Sequence, residues 1–360
     1  MTKKICIATP VDYSNFGNRL QNYAVHIICE RMGLEPTTLA VEYAFVCGAL
    51  PKDRILKLID ILHLGGLLSR IDRLKSINKS YASWKFTQSW IRTVCIENEE
   101  QLDTILAQSD FYGIGGDQVF APFWKHMIWF AMFPKCDASR KICFSPSFGS
   151  DSLPEEYLNE IKPELERIEH LAVREQSGCD LVRKTVGKDA VRICDPVVML
   201  TKDEWEAAAE KSKVSLAGKA AIVYFLGDYQ QNYWDYINCE TEINKCAVID
   251  VSKSSKSKEA ACDPLAFVSY LVQAECVYTD SFHAVMLAVI LNKRVVIFER
   301  AGGKEMNTRI LELVKRYHLE NCMYCNDKKN DNLCGYNIHE VNTILKSERD
   351  CANEYYRQFV

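Results

Sequence analysis

Along the chain, short runs of apolar and β-branched residues alternate with longer stretches whose apolar positions recur at helical spacing. The pattern predicts strands at 4–8, 36–41, 109–114, 142–147, 170–174, 191–194, 220–226, 247–251, 276–278 and 295–298. Between them it predicts helices at 19–32, 155–169, 229–238, 263–274, 282–291 and 340–356, with another opening at 307. Runs such as VVIF at 295–298 have no polar alternation, as in a parallel strand covered by helices on both faces. Strand and helix alternate in both halves, so the fold class expected is α/β, with two Rossmann-like domains facing across a cleft. The boundaries expected are 1–205 for the first domain and 206–345 for the second. A hinge is expected within 200–219, and the final helix, 346–360, is expected to cross back. No internal repeat is evident.

One region breaks the pattern. Between about 50 and 92, Leu56, Ile59, Leu62, Leu67 and Leu68 are interleaved with Lys52, Arg54, Lys57, Arg70, Arg73, Lys75 and Lys79. This predicts a basic helical insertion with solvated charged faces. The sharper alternative is an interfacial segment at anionic lipid headgroups, anchored by Trp84 and Trp90.

Composition alters this picture little. At 360 residues, 48% hydrophobic and 26% charged, the chain has an ordinary globular balance and room for two domains. A net charge of −4 gives no bulk polycation for nucleic acid. The sixteen cysteines sit in apolar segments such as Ile5-Cys6-Ile7, as buried thiols do in a reducing compartment. No signal-peptide core and no apolar run of spanning length is found, so a cytoplasmic location is expected. Cys322, Cys325, Cys334 and His339 match no standard zinc spacing, and no metal is expected.

The candidate chemistry gathers where strands end. In CVYTDSFHAVMLAVILNKRVVIFE, at 276–299, Thr279-Asp280-Ser281 are cap residues and His283 falls in the first helical turn. Ligands bind beyond the carboxyl ends of strands in open α/β sheets, and helix N-terminal amides attract anions there. A charged His283 so placed is a ready proton donor; it is equally a cap or a packing residue. Asn18 and Gln21 follow the loop Asn15-Phe16-Gly17-Asn18 and can bind hydroxyls or simply cap a helix. Gly115-Gly116 let the backbone turn closely beside Asp117 and Gln118. Arg174 at a strand end and Arg309 at a helix start suit a carboxylate or phosphate, or structural ion pairs.

Five blocks in order resemble the polysaccharide pyruvyl transferase family: NFGNRLQNYA, GGDQVFAPFW, VREQSG, TDSFHAVMLAVILNKRVVIF, and Asn307-Thr308-Arg309. The segment after 194, beginning Asp195-Pro196, resembles the family's close of the first domain. Departures from the family pattern are Gly116 for Ser, Ala121 for Asn, Ala284 for Gly and Thr308 for Ser. The resemblance implies a GT-B-like fold, with an acceptor side in the first domain and a donor side in the second. It implies transfer of pyruvate from phosphoenolpyruvate to a sugar, forming a cyclic ketal with release of phosphate. Phosphoenolpyruvate is then the co-substrate, and no other cofactor is expected. The other partner is a glycan acceptor, carried on a polyprenyl diphosphate if the chain works at the inner face of a membrane. His283 would be the general acid, with Asp117 orienting or deprotonating an acceptor hydroxyl. Arg174, Arg309 and Ser281 would bind the donor; Asn18, Gln21 and Gln118 the acceptor. The alternatives are a GT-B glycosyltransferase using a nucleotide sugar and a non-catalytic glycan- or anion-binding protein.

Overall fold

A computed structural model describes residues 2–41, 52–61, 75–122, 133, 135–212, 214–252, 255, 257–301, 304–325 and 335–360. Strands β1 (Lys3–Ala8), β2 (Leu34–Val41), β3 (Thr93–Ile96), β4 (Phe111–Ile114) and β5 (Lys141–Cys143) form one parallel sheet. Its order is β3-β2-β1-β4-β5. A parallel pair, β6 (Ala172–Val173) and β7 (Val191–Arg192), continues beside it; the Arg174 N–H donates to Pro146 O at 3.1 Å. The second sheet joins β8 (Ala220–Tyr224), β9 (Ala247–Asp250), β10 (Cys276–Thr279) and β11 (Arg294–Ile297) in the order β11-β10-β8-β9, again all parallel. The helices are α1 (Phe16–Arg31), α2 (Lys52–Ile61), α3 (Lys75–Trp90), α4 (Glu99–Ala107), α5 (Glu155–Glu166) and α6 (Gln176–Val186). They continue with α7 (Lys202–Ala209), α8 (Gln231–Ile243), α9 (Pro264–Gln273), α10 (Phe282–Ile290), α11 (Lys304–Arg316) and α12 (Ile338–Arg357). Strand order reverses between β1 and β4 in the first sheet and between β8 and β10 in the second. These are the switch points at which open sheets leave a crevice.

The two units share one apolar core. Phe16, at the start of α1, stacks on Phe267 of α9 (4.9 Å between centroids, 22°) and on Tyr224 of β8 (5.5 Å, 28°). Lys79 of α3 is buried, donates to Val251 O (3.2 Å) and sits 4.2 Å from the Phe16 centroid. Helix α12 runs back along the first unit: Tyr355 Oη donates to His170 O and accepts from the Cys143 N–H, both at 2.9 Å.

Several local expectations shift for physical reasons. The 200–219 segment contains α7, closed by a Thr201–Glu204 capping box and packed through a fully buried Trp205 whose Nε1 donates to Val197 O (2.9 Å). Pro36 lies inside β2 without a lost ladder bond, because pairing with β3 begins only at Thr38. β3 and α4 had no sequence expectation; β3 is a four-residue edge strand whose pattern is too short to separate from its surroundings. In the basic insertion, Leu56 and Ile59 pack on Tyr13 and Trp84, while Ile55, Leu58 and Ile61 are exposed. Trp90 is 40% exposed, beneath Lys211. Leu62, Leu67, Leu68, Arg70, Arg73 and Cys334 lie outside the described residues. None of the helices among the described residues is long and apolar enough to cross a membrane.

Candidate active site

The carboxyl ends of both sheets meet at one partly open cleft. The loop after β1 and the start of α1 supply Asp12, Asn15 and Asn18; the loop after β4 supplies Asp117 and Gln118. From the second unit come Ser281, Phe282, His283, Arg300 and Arg309.

On the first side, Asn18 is locked. Its Oδ1 accepts from the Asp12 N–H (2.8 Å) and from Arg19 Nε and Nη2 (3.0 and 2.6 Å), which turns its amide nitrogen toward Asp117 Oδ2 at 2.8 Å. Asp117 adopts φ 70°, in the left-handed region that Asp tolerates better than most residues. Its carbonyl accepts the Ser147 and Val119 N–H groups, which secures the turn. Burial acts to raise the Asp117 pKa, but His283, Arg174, Arg309 and the Asn18 hydrogen bond together hold it below the ordinary carboxylate value. Gln21 lies off the cleft: its Nε2 donates to Thr9 Oγ1 (3.0 Å), which in turn donates to Gly116 O (3.1 Å). A Cβ on Gly116 would stand 2.6 Å from Gln21 Oε1, so the glycine makes room for that bracket.

On the second side, each residue of Thr279-Asp280-Ser281 has a separate place. Thr279 Oγ1 donates to Tyr224 O (2.6 Å) and accepts the Ser281 N–H (3.0 Å). Asp280 accepts the N–H groups of Leu226 (2.7 Å) and Gly227 (2.8 Å), pinning the loop after β8. The fully buried Ser281 hydroxyl makes no hydrogen bond among the described residues and lines the cleft. His283 is buried against Gly17 of α1, where a Cβ would stand 2.5 Å from the His283 Cβ, Cγ and Nδ1. The other ring nitrogen, Nε2, is 3.4 Å from Asp195 Oδ2 and makes no hydrogen bond among the described residues.

Below the cleft lies a buried ionic group. Arg174 Nη1 donates to Asp195 Oδ2 (2.7 Å) and its Nε to Glu175 Oε1 (2.7 Å), while Nη2 has no partner among the described residues. Arg309 is also buried; its Nε and Nη1 make no hydrogen bond among the described residues, and Glu175 Oε1 is 3.8 Å from Nε. Phe282 sits between them, with its ring centroid 4.4 Å from the Arg174 guanidinium and 5.4 Å from that of Arg309. Burial and the neighbouring Arg174 push the Arg309 guanidinium down to about 10, still charged at neutral pH. Burial would raise the Asp195 pKa, but His283 and Arg174 lower it strongly. Of the two arginines, only Arg309 borders the His283 cleft; Arg174 faces an adjoining space of about 360 Å³ behind Phe282.

Thus His283, Asp117, Ser281, Asn18, Gln118 and Arg309 converge on one cleft, Arg174 lies directly behind it and Gln21 braces its floor. Sequence reasoning did not place Asp195 or Glu175 at the site, although both stand in the two blocks it singled out. The signal available was only their adjacency to Arg174 and Pro196. Among the described residues no cluster of three or more His, Cys, Asp or Glu side chains is arranged to hold a metal ion.

Two parallel-sheet units joined across a cleft lined by both arginines and aspartates define a GT-B-like α/β protein. The model of the polysaccharide pyruvyl transferase family matches residues 15–302, most of the chain. The chain belongs to the polysaccharide pyruvyl transferase family. Among solved structures it is similar to a UDP-GlcNAc 2-epimerase from Neisseria meningitidis bound to UDP-GlcNAc. That likeness has 10% identity and a TM-score of 0.47, covering 100% of this chain and 94% of that one. It is also similar to the wall teichoic acid polymerase TagF, with 8% identity and a TM-score of 0.44, covering 99% of this chain and 84% of that one. Over 115 residues it is 29% identical to tyrosine recombinase XerS of Streptococcus uberis (strain ATCC BAA-854 / 0140J). That stretch is 31% of each chain, so this chain spans less than a third of the curated relative it matches. None of these three carries an activity over.

Proposed function

We propose that the chain transfers pyruvate from phosphoenolpyruvate to two hydroxyls of one acceptor sugar, forming a cyclic ketal and releasing phosphate. The observation that carries this reading is a set of buried polar atoms that have no hydrogen bond among the described residues, in the cleft and directly behind it. They are Arg309 Nε and Nη1, Arg174 Nη2, the Ser281 hydroxyl and His283 Nε2. Buried donors without partners are costly, and a small anion bearing carboxylate and phosphate supplies acceptors for them. Ser281 also stands at the N-cap of α10, where the first backbone amides favour negative charge.

In this reading His283 protonates the methylene carbon of phosphoenolpyruvate while the first acceptor hydroxyl adds to C2. The C–O bond to phosphate then breaks, the electron pair leaves with phosphate, and the second hydroxyl closes the ketal as its proton passes to the departing phosphate. Asp195 Oδ2, 3.4 Å from His283 Nε2, faces the imidazolium before it gives up its proton. Asp117 stays ionised in a site that also holds His283 and Arg309, which suits it to orient an acceptor hydroxyl and receive its proton as the C–O bond forms. The polar rim of Asn15, Asn18 and Gln118 faces the acceptor.

Calorimetric titration with phosphoenolpyruvate, beside UDP-, GDP- and CMP-sugars, tests the donor. Phosphoenolpyruvate alone is expected to bind, more weakly in Arg309→Ala and Arg174→Ala. His283→Ala is expected to keep most of that binding and to lose turnover by roughly 10²–10⁴-fold, measured as phosphate release with acceptor present. A nucleotide sugar binding in its place, or a His283→Ala enzyme of near-normal rate, would overturn the assignment.

A further inference from the structure

The rim of the second unit carries an exposed aromatic pair outside the reaction centre. Tyr229 is 59% exposed. Its ring stacks on half-buried Trp234, with centroids 5.9 Å apart and planes at 16°. Trp234 is backed in turn by buried Phe225, 6.4 Å away and edge-on. The pair belongs to the loop and first helical turn that follow β8, next to Leu226, which lines the cleft.

Three sets of bonds hold this corner in place. Asp280 accepts the Leu226 and Gly227 N–H groups, Tyr229 Oη donates to Gln231 Oε1 (3.1 Å), and Tyr233 Oη donates to Glu299 O (3.2 Å). The last ties α8 to the loop that bears Arg300, another cleft residue. A single exposed tyrosine needs no explanation. A pre-stacked ring pair, fixed beside a cleft and open on one face, presents a rigid apolar surface with polar edges at little entropic cost. One face of a pyranose, with its C–H groups in an axial row, is a matching surface. The chain's family acts on polysaccharide, so sugars flanking the reacting unit must leave the cleft across its rim.

We propose that Tyr229 on Trp234 is a glycan subsite that grips a sugar of the acceptor flanking the one that reacts. The inference rests on the pyruvyl-transfer reading only for the identity of the reacting centre. The recognition itself requires a glycan of more than one unit.

The test is a glycan array of galactose-, mannose- and N-acetylhexosamine-containing oligosaccharides from one to eight units. Binding by the wild-type chain is expected to strengthen at least tenfold from the shortest to the longest members of the series that binds. Tyr229→Ala is expected to flatten that length dependence, and Tyr229→Phe, which keeps the ring but not the hydroxyl, to preserve it. Absence of binding to every glycan, binding without length dependence, or a Tyr229→Ala profile equal to wild type would each overturn the subsite. Phosphoenolpyruvate titration of the same proteins separates the two readings. Donor binding with no length-dependent glycan binding removes the subsite alone. Length-dependent glycan binding without donor binding removes the pyruvyl-transfer reading alone.

Discussion

Arg309 shows how this site stores its affinity. Its guanidinium is buried without a hydrogen bond at Nε or Nη1 among the described residues, and both burial and Arg174 act against its charge. Taking such a charge out of water costs several kcal/mol, a penalty that an apolar side chain of similar length does not carry. Arg309→Met is therefore expected to melt higher than wild type without ligand. It is also expected to lose the upward shift in melting temperature that phosphoenolpyruvate gives the wild type. Equal ligand-induced shifts in both proteins would count against Arg309 as a donor-binding residue. Asp117 and Asp195 make the opposite contribution. Both are held below the ordinary carboxylate value, so the unfolded chain binds protons more readily than the folded one. Their contribution is complete above the unfolded value of about 3.9 and is lost as pH falls toward the folded values. Urea midpoints should drop as pH falls from about 5 toward 2, and less steeply in Asp195→Asn, which titrates no carboxyl there.

At the scale of elements, the first turns of α1 and α10 abut at Gly17 and His283. Alanine in place of a helical glycine ordinarily stabilises by about 0.8–1 kcal/mol. Here a Cβ would lie 2.5 Å from three His283 atoms, so that gain should reverse in sign. Gly17→Ala is expected to lower the melting temperature and to cut turnover at least tenfold by displacing the imidazole. A more stable variant of normal activity would show that the two turns part without consequence. The contact also makes His283 a residue of both units: its backbone belongs to the second and its packing surface to the first.

For the whole molecule, the question is whether two sheets mean two independent folding units. Phe16, Tyr224 and Phe267 form a stack that bridges them, Lys79 reaches across to Val251 O, and α12 returns to the first unit. A continuous core of this kind predicts one cooperative calorimetric transition. Phe16→Ala, which removes the central ring of the stack, should lower stability by about 3–5 kcal/mol. Two resolved transitions in the wild-type chain would show that the units melt separately.

What the sequence determined by itself was local. The alternation of β-branched runs with helical periodicity specifies an α/β fold of parallel strands, because side-chain spacing along a few residues decides which faces can be buried. It also marked the loops at strand ends, since glycines, caps and polar residues cluster where apolar runs stop. Blocks such as TDSFH were legible as blocks, but not the division of labour within them, with Asp280 pinning a loop while Ser281 opens onto the cleft. The capping box at Thr201 and Glu204 was present in the sequence, yet the buried Trp205 that makes α7 part of the core was not evident. Only the tertiary structure decided that Asp195, at what reads as the close of a domain, lies 3.4 Å from His283. It alone turned Asn18 toward Asp117 and Gln21 toward Thr9, and set Arg309 rather than Arg174 on the cleft. The reason is physical: local pattern follows from periodicity within one segment. Contacts between segments distant in sequence arise only when two sheets and their helices pack into one core.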